Sequence, residues 1–149
     1  MTHARPSLWR GALLALSALP AIGAAPPTER YVTGQIWLYH NRPQDAGSRI
    51  KIQRVSALLG KPEFHIAISG VMLGGKPGNV VWHLPVSTET LDASVIELST
   101  GDFPVTLSQT DEGIAEWDRA QGGVYTISIE EIIGLVEKMI TGGSEPPPP

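Results

Sequence analysis

The chain has 149 residues, of which 42% are hydrophobic and 17% charged, with a formal charge of −4 and no cysteine. This length suits a single domain, and this composition excludes a disordered or fibrous chain. The missing thiol excludes disulfides, cysteine catalysis, cysteine-ligated zinc and the acylated cysteine of a lipoprotein.

Residues 1–24 have the three parts of a secretory signal peptide. Arg5 and Arg10 come before the apolar run Gly11–Leu19, and Pro20 is followed by the small residues AIGAA. The run is far shorter than the ~20 residues that cross a bilayer, so it predicts a cleaved leader, with an uncleaved anchor as the alternative. We therefore expect a periplasmic or secreted protein whose mature chain has no transmembrane span.

The charge of the chain becomes more negative without this leader. Removing Arg5 and Arg10 leaves nine basic residues against fifteen acidic ones, a formal charge of −6. Twelve of the acidic residues lie from Glu89 onward, where only Arg119 and Lys138 oppose them. An exported acidic protein does not have the basic surface that nucleic-acid binding needs, so no nucleic-acid partner is expected.

The mature chain divides into a linker at 25–30, a single domain at 31–141 and a disordered proline-rich tail at 142–149. Four segments of the domain have the alternating pattern of strands: Tyr31–His40, Arg49–Leu58, Phe64–Leu73 and Val80–Val86. The short loops between them favour an antiparallel meander, since parallel neighbours would need long crossovers. The alternation breaks at Gln53–Arg54, which predicts a β-bulge.

The second half of the domain is mostly helical in pattern. Ser87 or Thr88 is predicted to cap a helix that aligns Leu91, Val95 and Leu98 on one face. A second helix is predicted to begin at Thr110 or Asp111, after a brief extended segment at 105–107, and to end at Gly122 and Gly123. After a last strand at 124–127, Ser128 and Glu131 form a capping box for a helix that runs to about Ile140. The sequence thus predicts an α+β fold: an antiparallel sheet of four to five strands with about three helices packed mainly on one face.

Familiar catalytic motifs are missing from the domain. The loop at 74–78, GGKPG, lacks the spacing of a phosphate-binding loop and is interpreted as a hairpin turn. Ser69 lies in AISGV, without the flanking glycines of a hydrolase nucleophile. Paired carboxylates such as Glu130 and Glu131 suit a helix N-terminus, which weakens a glycosidase interpretation.

Three histidines remain as candidates for chemistry. His40, His65 and His83 all fall on predicted strands, and neighbouring strands could bring two of them together. A histidine base or a metal site is one interpretation, and structural or surface histidines are the other. No metal-binding spacing is present, and no metal or cofactor is predicted. His83, just before Leu-Pro, is the first candidate for a catalytic residue.

Three stretches share an order and spacing that extend over most of the mature chain. They are GQIWLY with RPQD at 34–39 and 42–45, HLPVS at 83–87, and EGIAEW with GGVYTI at 112–117 and 122–127. In these residues the chain resembles a family of uncharacterised bacterial proteins. The resemblance implies one compact domain and draws attention to Arg42, Asp45 and His83, but it implies no activity.

These observations favour a non-enzymatic binding or interaction module of the bacterial envelope, with a protein or small molecule as its ligand. The candidate ligand-binding residues are Arg42, Asp45, His65 and His83. Two alternatives stay open at this point. One is a small hydrolase or metal-dependent enzyme that uses His83 with His65 or His40; the other is an immunity or inhibitor-type protein that binds an enzyme through its acidic second half.

Overall fold

The computed structural model describes residues 29–104 and 107–142, with only the backbone of residues 107 and 108. The predicted leader, most of the linker and nearly all of the proline-rich tail lie outside these residues. Within the described ranges, no helix combines the length and the hydropathy needed to cross a membrane.

Five antiparallel strands form one sheet. The strands are β1 (Ile36–Tyr39), β2 (Arg49–Leu58), β3 (Lys61–Leu73), β4 (Lys76–Ser87) and β5 (Val95–Leu98), and their order across the sheet is β4-β3-β2-β1-β5. The first four strands are the predicted meander, and the bounds of β2 are those that the sequence indicated. The α+β fold with an antiparallel sheet is therefore confirmed.

Two-residue turns set the register of the long hairpins. Leu59 and Gly60, with φ of 51° and 78°, join β2 to β3, and Gly74 and Gly75 join β3 to β4 in the same left-handed conformation. Such turns match the right-handed twist of the strands that they connect. The turn predicted at residues 59–63 is therefore shorter than expected, because Lys61, Pro62 and Glu63 already belong to β3.

The predicted β-bulge is present in β2. The pairing with β3 shifts between Ile52 and Arg54, so that Val55 faces the same side as Ile50 and Ile52. Without the extra residue, strict alternation would turn Arg54 into the core. The bulge therefore places Arg54 and Ser56 on the opposite face of the sheet.

Alternation along β4 predicts Val80, Trp82, Leu84 and Val86 on its core face, but a second shift in register changes the first part of this set. Ile66 pairs with Leu84, but Ile68 pairs with Val81. The half-buried Val81 consequently packs against the core in place of Val80 and Trp82. Leu84 and Val86 are buried as expected.

Three α-helices complete the fold: α1 (Thr88–Ser94), α2 (Leu107–Arg119) and α3 (Ile129–Ile140). The Ser87 cap of α1 and the Ser128–Glu131 capping box of α3 are confirmed. The prediction that α1 extends to Leu98 is wrong. Its last four residues turn into β5, because the free edge of β1 offers them backbone hydrogen-bond partners.

Two further predictions for the second half are wrong. Helix α2 begins at Leu107, so Leu107 is not extended, and Thr110 lies inside the helix instead of capping it. The hydroxyl of Thr110 donates to the carbonyl of Trp82 at 3.1 Å and so ties α2 to β4. The strand predicted at 124–127 is reduced to a single parallel bridge between Tyr125 and Val86.

The helices cover the two faces of the sheet unequally. Leu91 of α1 and Ile129, Ile132 and Ile133 of α3 are fully buried in the main core against the face that carries Ile66. Helix α2 packs on the opposite face, over the central part of β3 and β4. This second face carries the polar side chains that form the candidate site.

Candidate functional site

The structure brings His65 and His83 together on the α2 face of the sheet. Nδ1 of His65 lies 2.9 Å from Nε2 of His83, and the two ring planes differ by only 15°. His65 is completely buried, whereas His83 is half-buried at the wall of a groove. Of the two partners predicted for His83, His65 is therefore the one that the fold supplies.

A serine and a glutamate extend this pair into a chain of hydrogen bonds. Oγ of Ser56 lies 2.9 Å from Nε2 of His65 and donates to Oε1 of Glu63 at 2.6 Å. We refer to His83, His65, Ser56 and Glu63 as the polar chain. Its four members come from three adjacent strands.

The polar chain has one consistent direction of hydrogen bonding. A carboxylate only accepts, so the hydroxyl proton of Ser56 points to Glu63. Ser56 then accepts from Nε2–H of His65, whose Nδ1 in turn accepts from Nε2–H of His83. This assignment makes both imidazoles neutral Nε2–H tautomers.

The electrostatic surroundings agree with neutral imidazoles. Burial, aided by His65 and by the positive charge of Arg54, lowers the pKa of His83 to about 4 from its ordinary 6.5. Burial and Arg54 also lower the pKa of His65, against the opposite influence of Glu63. The 3.5 Å contact between Arg54 Nη2 and His65 Nε2 is therefore better described as charge proximity than as a hydrogen bond, because both nitrogen atoms carry protons.

The register of the β2–β3 hairpin explains why these residues meet. Its two-residue turn makes Ser56 the direct cross-strand partner of Glu63, and Arg54 that of His65. Directly opposed residues point to the same face of a sheet. Together with the bulge in β2, this pairing puts a guanidinium, a hydroxyl, a carboxylate and an imidazole side by side.

Helix α2 covers the polar chain on the side that faces away from the sheet. The indole of Trp117 meets the His65 ring edge-on, with centroids 5.0 Å apart, and donates through Nε1 to the carbonyl of Gly123. Gly113 lies directly against His83, where an added Cβ would come within 2.7 Å of the His83 Cβ. The absence of a side chain at Gly113 therefore lets α2 approach the sheet closely.

Glu63 also faces a cavity of about 380 Å³, which we call the hairpin groove. Its walls are mostly apolar, formed by Leu58, Leu59, Pro62 and Val124. Polar side chains from the end of β4 and the start of α1 line the remainder, together with Lys61 and Thr126. Apolar walls with a few placed polar groups are typical of small-molecule sites.

Only one of the two oxygen atoms of the Glu63 carboxylate has a hydrogen-bond partner among the described residues. The residue is 4% exposed, and Oε2 has no hydrogen-bond partner within the described residues. Its shortest approach to a basic side chain there is the 3.6 Å between Oε1 and His65 Nε2. A buried polar atom without a protein partner is rare in native proteins, and Oε2 can accept from a water molecule or from a bound ligand.

The remaining predicted site residues lie apart from the polar chain. His40 is exposed at the end of β1, and its backbone N–H donates to the carbonyl of Ser94. Arg42 and Asp45 form a buried bidentate ion pair, and Asp45 also accepts from the backbone of Met72 at 2.7 Å. This pair fastens the short 3₁₀ turn at 43–45 to β3, and its role in ligand binding stays a prediction.

The facing nitrogen atoms of the two histidines, Nδ1 of His65 and Nε2 of His83, are joined by a hydrogen bond. Over the described part of the chain, no three His, Cys, Asp or Glu side chains are placed to hold a metal. Ser56 and Glu63, which the sequence analysis did not single out, are the groups that complete the site instead.

Comparisons with protein-family models, with curated proteins and with solved structures find no match for this chain.

Proposed function

We propose that the protein is an exported, non-enzymatic binding module of the bacterial envelope whose ligand occupies the hairpin groove. The observation that carries this proposal is the buried Glu63 carboxylate, which lines a mostly apolar groove and has one oxygen without a hydrogen-bond partner among the described residues. Export rests on the predicted leader. The ligand is a small molecule or an exposed group of a partner protein.

The polar chain supports a role in binding because it holds Glu63 in place. Ser56 fixes one carboxylate oxygen, and the two histidines fix Ser56 in turn. A binding group whose own rotamer is locked by further hydrogen bonds loses less conformational entropy when a ligand arrives.

Fragment screening by amide NMR tests the proposal on the full mature chain. Small fragments are expected to shift the signals of residues 58–63 and 87–89, which surround the hairpin groove. The cavity at Leu73, Asn79 and Ile140, about 670 Å³ in volume, is the internal control because it is larger yet lacks a buried carboxylate. A preference of the fragments for that control cavity, or no shifts at the groove, would contradict the proposal.

A second candidate, a small hydrolase, is favoured by one specific observation. Ser56 lies between a carboxylate and an imidazole, and that imidazole is held by a second one. A nucleophile, a base and a group that orients them form the usual constellation for covalent catalysis. In this mechanism Ser56 Oγ attacks the substrate, its proton passes to Glu63, and the leaving group departs with the bonding electrons.

A fluorophosphonate probe tests this candidate without a known substrate. Attack by Ser56 would form an O–P bond, expel fluoride and increase the mass of the intact protein by the probe remnant. Labelling that disappears in Ser56→Ala and persists in Ser69→Ala would establish the hydrolase. An unlabelled wild-type protein would exclude Ser56 as a nucleophile toward this probe and leave the binding module as the sole proposal.

A further inference from the structure

We propose that the hairpin groove takes an organic cation, an ammonium group carried on an apolar body. This inference rests on the proposed binding function and names the chemical class of its ligand. Three features of the groove lead to it: the charge of Glu63, the lining of the walls and the distribution of the other charges.

The charge of Glu63 lacks a permanent cationic partner. The closest basic group among the described side chains is the imidazole of His65, which the hydrogen-bond direction and the lowered pKa assign as neutral. An uncompensated buried charge costs several kcal/mol, and a cation placed against it recovers much of that cost. An ammonium group, with three N–H donors, suits the free Oε2.

The apolar walls of the groove indicate that the cation is attached to an apolar group. Leu59 is 96% exposed and sits at φ 51°, a conformation that costs a leucine free energy. Both the exposure of the side chain and the backbone conformation are unfavourable for a leucine at this position. Contact with an apolar ligand would remove the exposed apolar surface from water. Leu58 and Pro62 continue the apolar surface beside Leu59 down to Glu63.

The other charged residues of the groove do not form an ion pair with Glu63. Lys61 and Glu89 both line the groove. Among the described side chains, the one basic group within 4.0 Å of the Glu63 carboxylate is the imidazole of His65. Because Oε2 of Glu63 is shielded from solvent, we expect the Leu59–Gly60 turn to move when the ammonium group enters.

Three probes with the same six-carbon body and different head groups test the inference. Hexylammonium, hexanol and hexanoate are titrated into the full mature chain, and binding is followed at the amide signals of residues 58–63. We expect hexylammonium to bind at least about tenfold more tightly than hexanol, since a hydrogen bond between two charged groups is stronger than one from a neutral hydroxyl. Hexanoate should bind more weakly than hexanol because like charges repel.

Two matched variants assign the preference to one carboxylate. Glu63→Gln should bring the affinities for hexylammonium and hexanol within about twofold of each other, whereas Glu97→Gln, at an exposed position on β5 outside the groove, should keep the tenfold difference. Equal wild-type affinities for hexylammonium and hexanol would overturn the cation while leaving a binding groove. The absence of groove shifts with all three probes would overturn both the inference and the proposed function, and the wild-type comparison decides even if Glu63→Gln does not fold.

Discussion

At the residue scale, Glu63 and Leu59 each occupy an energetically unfavourable local environment. Glu63 buries a carboxylate oxygen without a partner, and Leu59 exposes a large apolar side chain at a positive φ. Both residues lie within five positions of each other and line the same groove. Departures from local preference that cluster in this way are expected where a sequence is selected for binding as well as for stability.

Replacing Leu59 with asparagine should stabilise the protein. Asparagine tolerates the left-handed conformation that a two-residue hairpin turn requires, so we expect Leu59→Asn to raise the free energy of unfolding by about 1 kcal/mol. Urea denaturation measures the change. Leu58→Asn, at the neighbouring strand position, is the control and should not stabilise. An equal gain in both variants would show that the backbone conformation of Leu59 is not the cause.

The protonation pattern of the polar chain can be observed directly. Long-range ¹⁵N–¹H NMR spectra at neutral pH should show His65 and His83 as neutral Nε2–H tautomers, because the chain must end on the accepting carboxylate of Glu63. In Glu63→Leu, this acceptor is lost and Ser56 becomes free to donate to His65, so the His65 tautomer should change. An Nδ1–H tautomer of His65 in the wild-type protein would contradict the direction assigned here.

At the scale of elements, the contact between α2 and the sheet decides whether the polar chain stays covered by the helix. Helix α2 reaches β4 through Gly113 against His83 and through the Thr110 hydrogen bond to Trp82. Its C-terminal end also approaches β2, through an ion pair of 3.4 Å between Arg54 and Asp118. That pair is largely exposed and adds little stability, so the close packing at Gly113 is the more important contact.

Two glycine-to-alanine substitutions separate packing from helix propensity. Both glycines lie inside helices, where alanine is favoured by about 1 kcal/mol. Gly113→Ala should nevertheless destabilise the protein by about 1–3 kcal/mol, since the new methyl group would overlap His83. Gly134→Ala in α3 meets nothing within 4 Å and should stabilise it. Thermal unfolding compares the two, and a stabilising Gly113→Ala would refute the close contact.

The elements that could be predicted from the sequence are those specified by local pattern. The alternation of β2, its interruption at Gln53 and the Ser128 capping box each depend on residues within a few positions. The strand β5 could not be predicted, because Val95 and Leu98 continue the helical spacing of Leu91. Only the open edge of β1, a tertiary feature, makes these residues a strand.

Ser56 and Glu63 could not be predicted as site residues for a related reason. A five-residue turn at 59–63 is predicted from the sequence because the apolar strand pattern resumes only at Phe64. The actual two-residue turn adds Glu63 to β3 and sets it opposite Ser56. Once that turn is known, the pairing of Arg54 with His65 follows by counting. The convergence of His65 and His83 was foreseen only as one possibility among three histidines.

At the scale of the whole molecule, the buried histidines should make stability depend on pH. The pKa of His83 is about 4 in the folded protein and 6.5 when unfolded, so the unfolded chain binds more protons between these values. Stability is then complete above about pH 6.5 and falls as the pH decreases toward 4. The positive charge of Arg54 opposes protonation of His83, and the negative charge of Asp118 favours it. The pKa of His65 is also lowered, so His65 adds to the loss of stability as the pH falls.

Chemical denaturation across this range measures the effect. We expect the wild-type protein to lose on the order of 2 kcal/mol between pH 6.5 and 4 through the histidine pair, after allowance for solvent at the half-buried His83. His83→Phe keeps an aromatic ring but should show a shallower decline, while His40→Phe, at an exposed position, should follow the wild-type curve. Parallel curves for wild type and His83→Phe would rule out this origin of the pH dependence.

A crystal structure of the mature protein with hexylammonium tests the central claim most directly, that Glu63 is the ligand-binding group of the hairpin groove. The account predicts the ammonium nitrogen within hydrogen-bond distance of Glu63 Oε2 and the alkyl chain along Leu58, Leu59 and Pro62. Hexylammonium bound elsewhere, or a groove that stays empty at saturating concentration, would contradict it.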